Sequence, residues 1–149
     1  MAMMTLRAKG RVSQESITCT LETGKPGVAA GLHPAAGGDG SWACSGDMLL
    51  EALVGCAGVT LAAVATSMSI EFASATVMAE GDLDFRGTLG VAKDAPVGFT
   101  KIRLTFAVDT TAPADKVQKL VELTERYCVV FQTLAKPPSI EVRIDSQGS

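Results

Sequence analysis

The chain has 149 residues, of which 47% are hydrophobic and 19% are charged, and its formal net charge is −3 at pH 7. These values are typical of one globular domain spanning residues 1–149, and they argue against an intrinsically disordered chain. The 13 basic and 16 acidic residues form no block of one sign. Nucleic-acid binding is therefore disfavoured, because it needs a concentrated basic face.

The N-terminal stretch "MAMMTLRAKGRVSQ" lacks the apolar segment of a secretory signal, which predicts a cytoplasmic protein. In a reducing cytosol the four cysteines are not expected to form a structural disulfide framework. They contain no C-x-x-C pair and the sequence has a single histidine, so no metal site is predicted. Any chemistry from these thiols would then be redox or nucleophilic.

The first half of the chain predicts strands, a loop and then a long helix. Alternating polar and apolar residues over 5–23 favour one or two strands. Residues 24–46 are rich in glycine and proline, which indicates a loop with a short strand near 28–32. A helix follows over about 47–69.

This helix is almost uniformly apolar, with "LLEALVGCAGVTLAAVATSM" over 49–68. Its length approaches that of a membrane span, but Glu51 lies inside it. The chain also has no lysine or arginine between Gly27 and Asp84 to anchor a span at an interface. We therefore predict no membrane contact and a helix buried by protein on nearly all sides, partly by a dimer partner. Ser45 or Asp47 is expected to cap it.

The second half predicts two strands over 75–89 and 99–110, then an amphipathic helix over 112–127. "CVVFQTLA" is expected to form one more helical piece, and "PPSIEVRID" a final strand, because its two prolines stop the helix. This order of elements indicates an α+β domain whose helices are segregated from a mostly antiparallel sheet.

Two of the four cysteines stand out by position. Cys19 and Cys44 are expected to be small apolar fillers. Cys128 follows one helix and begins the next, where free N–H groups favour a thiolate. Cys56 lies two turns inside its helix, so it needs a cation or a hydrogen-bond donor from elsewhere to become reactive. Spacing alone leaves two alternatives open, a redox pair and two buried packing residues.

Five segments resemble one family in register. "SGDMLLEALVGCAGVTLAAVA" is similar to the helix signature of the OsmC/Ohr proteins, the osmotically inducible and organic-hydroperoxide-resistance group. "EGDLDFRGTLG", "PVGFTKIRLTFAVD", "ERYCVVFQTL" and "PPSIEVRI" then follow in the family's order, over roughly residues 45–145. The resemblance implies the OsmC-like fold, with mostly antiparallel sheets around long central helices in an intertwined homodimer.

The resemblance also implies a thiol peroxidase without a bound cofactor. In this family the helix cysteine attacks the peroxide as a thiolate and becomes a sulfenic acid. The second cysteine converts the sulfenic acid to a disulfide, which an external dithiol such as a lipoylated protein reduces. Carried over, Cys56 is the peroxidatic thiol and Cys128 the resolving thiol. The apolar sequence around Cys56 favours organic hydroperoxides as substrates.

Hydroperoxide-type members use an arginine of the N-terminal strand to lower the pKa of the thiol, and a glutamate at the start of the long helix holds that arginine. Arg7 and Arg11 are the candidates here, with Arg11 preferred. Asp47, nine positions before Cys56, is the expected carboxylate partner. Glu51 is the weaker choice because five residues place it on a different helical face from Cys56.

One departure from the family pattern supports a second hypothesis. The proline that often follows the second cysteine is absent, because Val129 follows Cys128. That resembles less characterised OsmC-like branches, so the alternative is a non-catalytic dimer that binds a small apolar ligand at its interface. No cation near the sulfur of Cys56, or two distant sulfurs, would favour this alternative.

Overall fold

The computed structural model describes residues 3–22, 30–31, 33–38, 40 and 43–146. The predicted N-terminal strands are confirmed as a hairpin of β1 (Met3–Ser13) and β2 (Thr18–Leu21). Two short strands, β3 (Ala30–Gly31) and β4 (Ala43–Cys44), pair in parallel, and a 3-10 turn at Pro34–Ala36 lies between them in sequence. This segment leads directly into the long helix.

The long helix α1 spans Ser45–Ser67, close to its predicted bounds. The predicted cap is wrong, because Cys44 is the N-cap residue and makes no side-chain capping bond. The backbone of Cys44 is extended while Ser45 is already helical, and a capping side chain must come from the extended residue before the helix. Asp47 lies in the first turn, where its charge suits the helix dipole.

The main sheet has four antiparallel strands in the order β2-β1-β5-β6, with β5 at Ser74–Asp84 and β6 at Lys101–Asp109. The strand predicted over 75–89 ends at Asp84, because the Asp84 side chain accepts a hydrogen bond from the Arg86 N–H and begins a short helix, α2 (Phe85–Thr88). Alternate residues of β5 are buried on the face that α1 contacts, namely Ala75, Val77 and Ala79. The other face carries the charged residues, as the period of two in a strand requires.

Two further helices, α3 (Ala114–Tyr127) and α4 (Val129–Ala135), also contact α1. The predicted amphipathic helix is confirmed, because Leu120 and Thr124 are buried while its lysines are exposed. The core therefore lies where α1 meets the sheet and α3. By length and apolarity alone α1 could cross a membrane, but here it packs as the core helix of a globular domain.

The predicted C-terminal strand is not formed within the chain. Residues 137–146 have no strand partner among the described residues. Their alternating apolar side chains are 84–89% exposed, namely Ile140, Val142 and Ile144. An alternating pattern specifies a strand only where a sheet edge is available for pairing, and this segment meets none in a single chain.

Candidate active site

Cys56 lies midway along α1 and is half-buried, on a helix face that also carries the exposed side chains of Leu49 and Val59. Cys128 is the single residue between α3 and α4 and is only 1% exposed. Its extended backbone (φ −76°, ψ 111°) ends α3 and lets α4 begin in a new direction. A junction rather than a helix interior thus carries the second thiol.

The change of direction at Cys128 brings the two thiols together. Cys56 packs against the core cluster that contains Cys128, and the thiol of Cys128 faces the sulfur of Cys56 as a donor that lowers its pKa. The backbone N–H groups of Val129 and Val130 donate to the same sulfur, as does the hydroxyl of Thr60. The N–H groups of a first helical turn have no partner inside their own helix, so α4 supplies two donors at no cost to its structure.

The two thiols have opposite acid–base properties. Burial by itself raises the pKa of Cys56, but the four hydrogen bonds that its sulfur accepts outweigh burial and bring the pKa below its ordinary value. Burial raises the pKa of Cys128 to about 11. Of the two thiols, Cys56 therefore ionises more readily, and Cys128 stays protonated to a higher pH. Sequence reasoning placed the free N–H groups of α4 at Cys128. Those of Phe131 and Val130 do lower the pKa of Cys128, but burial outweighs them, whereas those of Val130 and Val129 lower the pKa of Cys56.

The structure does not bring the predicted arginines to Cys56. Gly10 and Val12 are buried, so the odd-numbered residues of β1 lie on the opposite face of the sheet from α1. There Arg7 pairs with Glu80 at 3.4 Å, and Arg11 pairs with Glu22 at 3.1 Å.

Asp47 is not at the sulfur either. Nine residues of helix separate it from Cys56 by two and a half turns, which is about 13 Å along the axis and on the opposite side. Burial and the charge of Asp47 raise the pKa of Glu51. Of the four residues named as a site by sequence, the structure brings only Cys56 and Cys128 together.

Sequence reasoning missed Thr60, Val129 and Val130. The first had a usable signal, because a residue four positions after Cys56 lies on the same helix face. The other two act through the backbone N–H, which any residue but proline carries, so their identities hold no signal. Within the described residues no group of three or more His, Cys, Asp or Glu side chains could hold a metal ion.

An apolar groove of about 510 Å³ lies between β6 and the helices α3 and α4. Leu53, one turn before Cys56, and Phe131, just after the donor Val130, contribute to its wall. The rest of the apolar lining comes from Phe99, Ile102, Leu104, Phe106, Val121, Leu134 and Ala135. Neither thiol lines the groove, and Leu53 and Phe131 are the apolar lining residues nearest to them in sequence.

Comparison with known proteins identifies the family. The sequence pattern of the family described as OsmC-like protein matches residues 38–143, and the chain belongs to this family. Its fold is similar to the crystal structure of an OsmC-like hydroperoxide resistance protein from Jannaschia sp. CCS1, with a TM-score of 0.66 and 18% identity. The alignment covers 100% of this chain and 97% of that one. A search of curated proteins finds no match.

Proposed function

We propose that this protein is a cysteine-based thiol peroxidase that reduces organic hydroperoxides in the cytoplasm. The observation that carries the proposal is the hydrogen-bonded pair of thiols, in which the pKa of Cys56 is lowered and that of Cys128 is raised. A thiolate is the nucleophile that attacks a peroxide, and a second thiol beside it prevents further oxidation. Membership of the OsmC-like family supports the same chemistry.

In the proposed cycle the Cys56 thiolate attacks the O–O bond and becomes a sulfenic acid. Cys128 then displaces the hydroxide and forms a Cys56–Cys128 disulfide. The pKa of each thiol responds to the other, which supports a disulfide between these two residues. An external dithiol, such as a lipoylated protein, reduces the disulfide by thiol–disulfide exchange. We propose no resident cofactor.

The groove supports an organic rather than an inorganic peroxide. Its wall includes Leu53, three residues before Cys56, and Phe131, three residues after Cys128. An alkyl or aryl group seated there would leave water, whereas hydrogen peroxide has no apolar part to bury. The Jannaschia protein is described as a hydroperoxide resistance protein, which agrees with this substrate class.

We propose that the working unit is a homodimer of single 1–149 domains. The exposed face of α1 carries Leu49 and Val59, each about 40% exposed, and the C-terminal segment exposes three large apolar side chains. Exposed apolar side chains on two such elements are typical of a protein interface. A second copy that covers both regions would also give the C-terminal segment a sheet edge to pair with.

The test of the function is turnover with a panel of alkyl, aryl and inorganic peroxides, with a dithiol as reductant. Wild-type protein is expected to prefer the organic peroxides, and mass spectrometry should find the Cys56–Cys128 disulfide after oxidation. Cys56→Ser should abolish turnover, and Cys128→Ser should stop it after one peroxide per chain. Cys44→Ser is the matched control and should keep wild-type turnover. Full activity of Cys56→Ser would refute the proposal.

A second candidate is a non-catalytic dimer that binds an apolar ligand. The groove of about 510 Å³ favours it, as do the donors to Cys56, all of which are neutral among the described residues. An apolar fluorescent probe that binds the protein, together with the absence of peroxide turnover, would support this candidate. The close contact of the thiols favours the peroxidase, because packing alone does not require a thiol–thiol hydrogen bond.

A further inference from the structure

Reduction of a peroxide by Cys56 requires a proton as well as a thiolate. When the thiolate attacks a hydroperoxide, the O–O bond breaks and its electron pair leaves with an alkoxide, which is a much stronger base than a thiolate. A positioned acid that protonates this leaving group lowers the barrier. The proposed cycle therefore needs a proton donor beside the sulfur of Cys56.

The donors at the sulfur differ in whether they can release a proton. Backbone amides and the hydroxyl of Thr60 are too weak as acids to give up a proton at neutral pH. The Cys128 thiol is the remaining donor: it belongs to the core cluster against which Cys56 packs, and it is a far stronger acid than an alcohol. It is also 1% exposed, so bulk water has little access to compete with it.

We propose, on the basis of the proposed function, that Cys128 is the general acid of peroxide reduction as well as the resolving thiol. Cys56 attacks the terminal oxygen and becomes a sulfenic acid, and the alkoxide takes the proton of Cys128 and leaves as an alcohol. The resulting Cys128 thiolate attacks the sulfenic sulfur and displaces hydroxide, which takes a proton from solvent. The peroxide gains two electrons and the two thiols lose two.

This order of steps makes one proton serve both half-reactions. A buried Cys128 is held protonated before the reaction, in which state it cannot attack the new sulfenic acid. Transfer of its proton to the leaving group converts it to the nucleophile at the moment when a sulfenic acid is present. Disulfide formation by Cys128 is thereby coupled to the step that forms the sulfenic acid at Cys56.

The test compares two peroxides whose leaving groups differ in basicity. tert-Butyl hydroperoxide releases an alkoxide, which needs a proton, whereas peracetic acid releases acetate, which does not. Peroxide consumption is followed in a single turnover with protein in excess, at a pH where Cys56 is fully ionised in each variant. Cys128→Ala is expected to slow the reaction with tert-butyl hydroperoxide about 100-fold and to change the reaction with peracetic acid by no more than Thr60→Val does.

Two variants separate proton donation from loss of a hydrogen bond. Thr60→Val removes another donor to the same sulfur but keeps Cys128, so it should change both rates by the same factor. Cys128→Ser keeps a hydroxyl donor but replaces the acid by an alcohol, so it should stay slow with tert-butyl hydroperoxide only.

An equal effect of Cys128→Ala on both peroxides would overturn the proposed acid role while leaving the peroxidase intact. Wild-type protein that consumes neither peroxide would refute the proposed function, and the acid role with it.

Discussion

Asp82 and Cys56 both lie among hydrogen-bond donors, but the donors at Asp82 include a cation and those at Cys56 are neutral. On the outer face of the sheet, Arg103 binds Asp82 through two bonds of 2.8 Å, and Thr5 adds one of 2.7 Å. These bonds hold the pKa of Asp82 well below its usual range. At Cys56, backbone N–H groups, a hydroxyl and a thiol lower the pKa instead.

The difference follows from solvent access. The outer face of the sheet is open to water, where an arginine keeps much of its hydration. The charged ladder of Glu80, Asp82 and Arg103 therefore incurs only a small desolvation penalty there. Next to α1 and α4 a cation would lose its water, and that penalty can exceed the attraction to the thiolate. Neutral dipoles fixed by a helix end stabilise an anion without that penalty. The molecule therefore places its β1 arginines on one side of the sheet and its candidate thiolate on the other.

The largest expected effect comes from Leu120, which is fully buried in the core where α3 packs near α1. Leu120→Ala should lower the free energy of unfolding by about 2–5 kcal/mol, because it leaves a cavity. It should also raise the pKa of Cys56, since α3 positions Cys128. Urea denaturation measures the first effect, with the half-exposed Val117→Ala as the control. A larger loss in the control would contradict the assignment of the core.

A smaller effect, confined to the uncharged donors around Cys56, is expected from Val129→Pro. Val129 is the first residue of α4 and follows an extended residue, a position that accepts proline. Proline removes one N–H donor to the sulfur, so the pKa of Cys56 should rise. The pH dependence of Cys56 alkylation, resolved by mass spectrometry, measures it. Val129→Ala keeps the N–H and should match wild type, and an unchanged pKa in Val129→Pro would exclude this donor.

The charged ladder is tested by Arg103→Gln. The pKa of Asp82 is lower in the folded than in the unfolded state, so Asp82 stabilises the fold above its unfolded pKa of about 3.9. This contribution is lost as the pH falls through the folded pKa. The variant should therefore unfold at a higher pH in an acid titration monitored by circular dichroism, with the pKa of Cys56 unchanged.

Lys101→Gln is the control for that titration. Lys101 lies opposite Asp82 in the strand pairing and contributes only a weak charge interaction. It should therefore shift the acid transition less than Arg103→Gln. An Arg103 variant that also changes the alkylation of Cys56 would show that the two regions are coupled.

The smallest effect is expected from Arg11→Ala. The Arg11 side chain is 77% exposed and pairs with Glu22 on the solvent face, so unfolding should change by less than about 0.5 kcal/mol. The pKa of Cys56 should be that of wild type. A clear rise in this pKa would return to Arg11 the role that the family resemblance implies, and would place it at the sulfur in the assembled protein.

The sequence predicted secondary structure well where the hydrophobic period of a single segment was enough to decide it. The alternation in β5 and β6 and the amphipathic period of α3 depend on which side of each element is buried, and both are confirmed. The cap of α1 was missed by one residue, because β4 runs straight into the helix. The final strand was missed because pairing needs a second edge, and no pattern within the segment supplies one.

The residues of the site divide in the same way. The family resemblance singled out Cys56 and Cys128, and the structure brings them together. The resemblance could not place Arg11. Strand alternation assigns Arg11 to a face of the sheet only once the face that α1 covers is known. The resemblance also could not show how the free N–H groups of α4 and burial together set the pKa values of the two thiols.

The sequence by itself determined the family, the uniformly apolar α1 and the two thiols of interest. Only the tertiary structure decided which thiol has the lower pKa. The N–H groups at the start of α4 lower the pKa of both thiols, but Cys128 is buried more deeply, so its pKa stays the higher of the two. The acidity of a thiol depends on the donors and solvent within a few ångströms of its sulfur, and those neighbours come from elements distant in sequence.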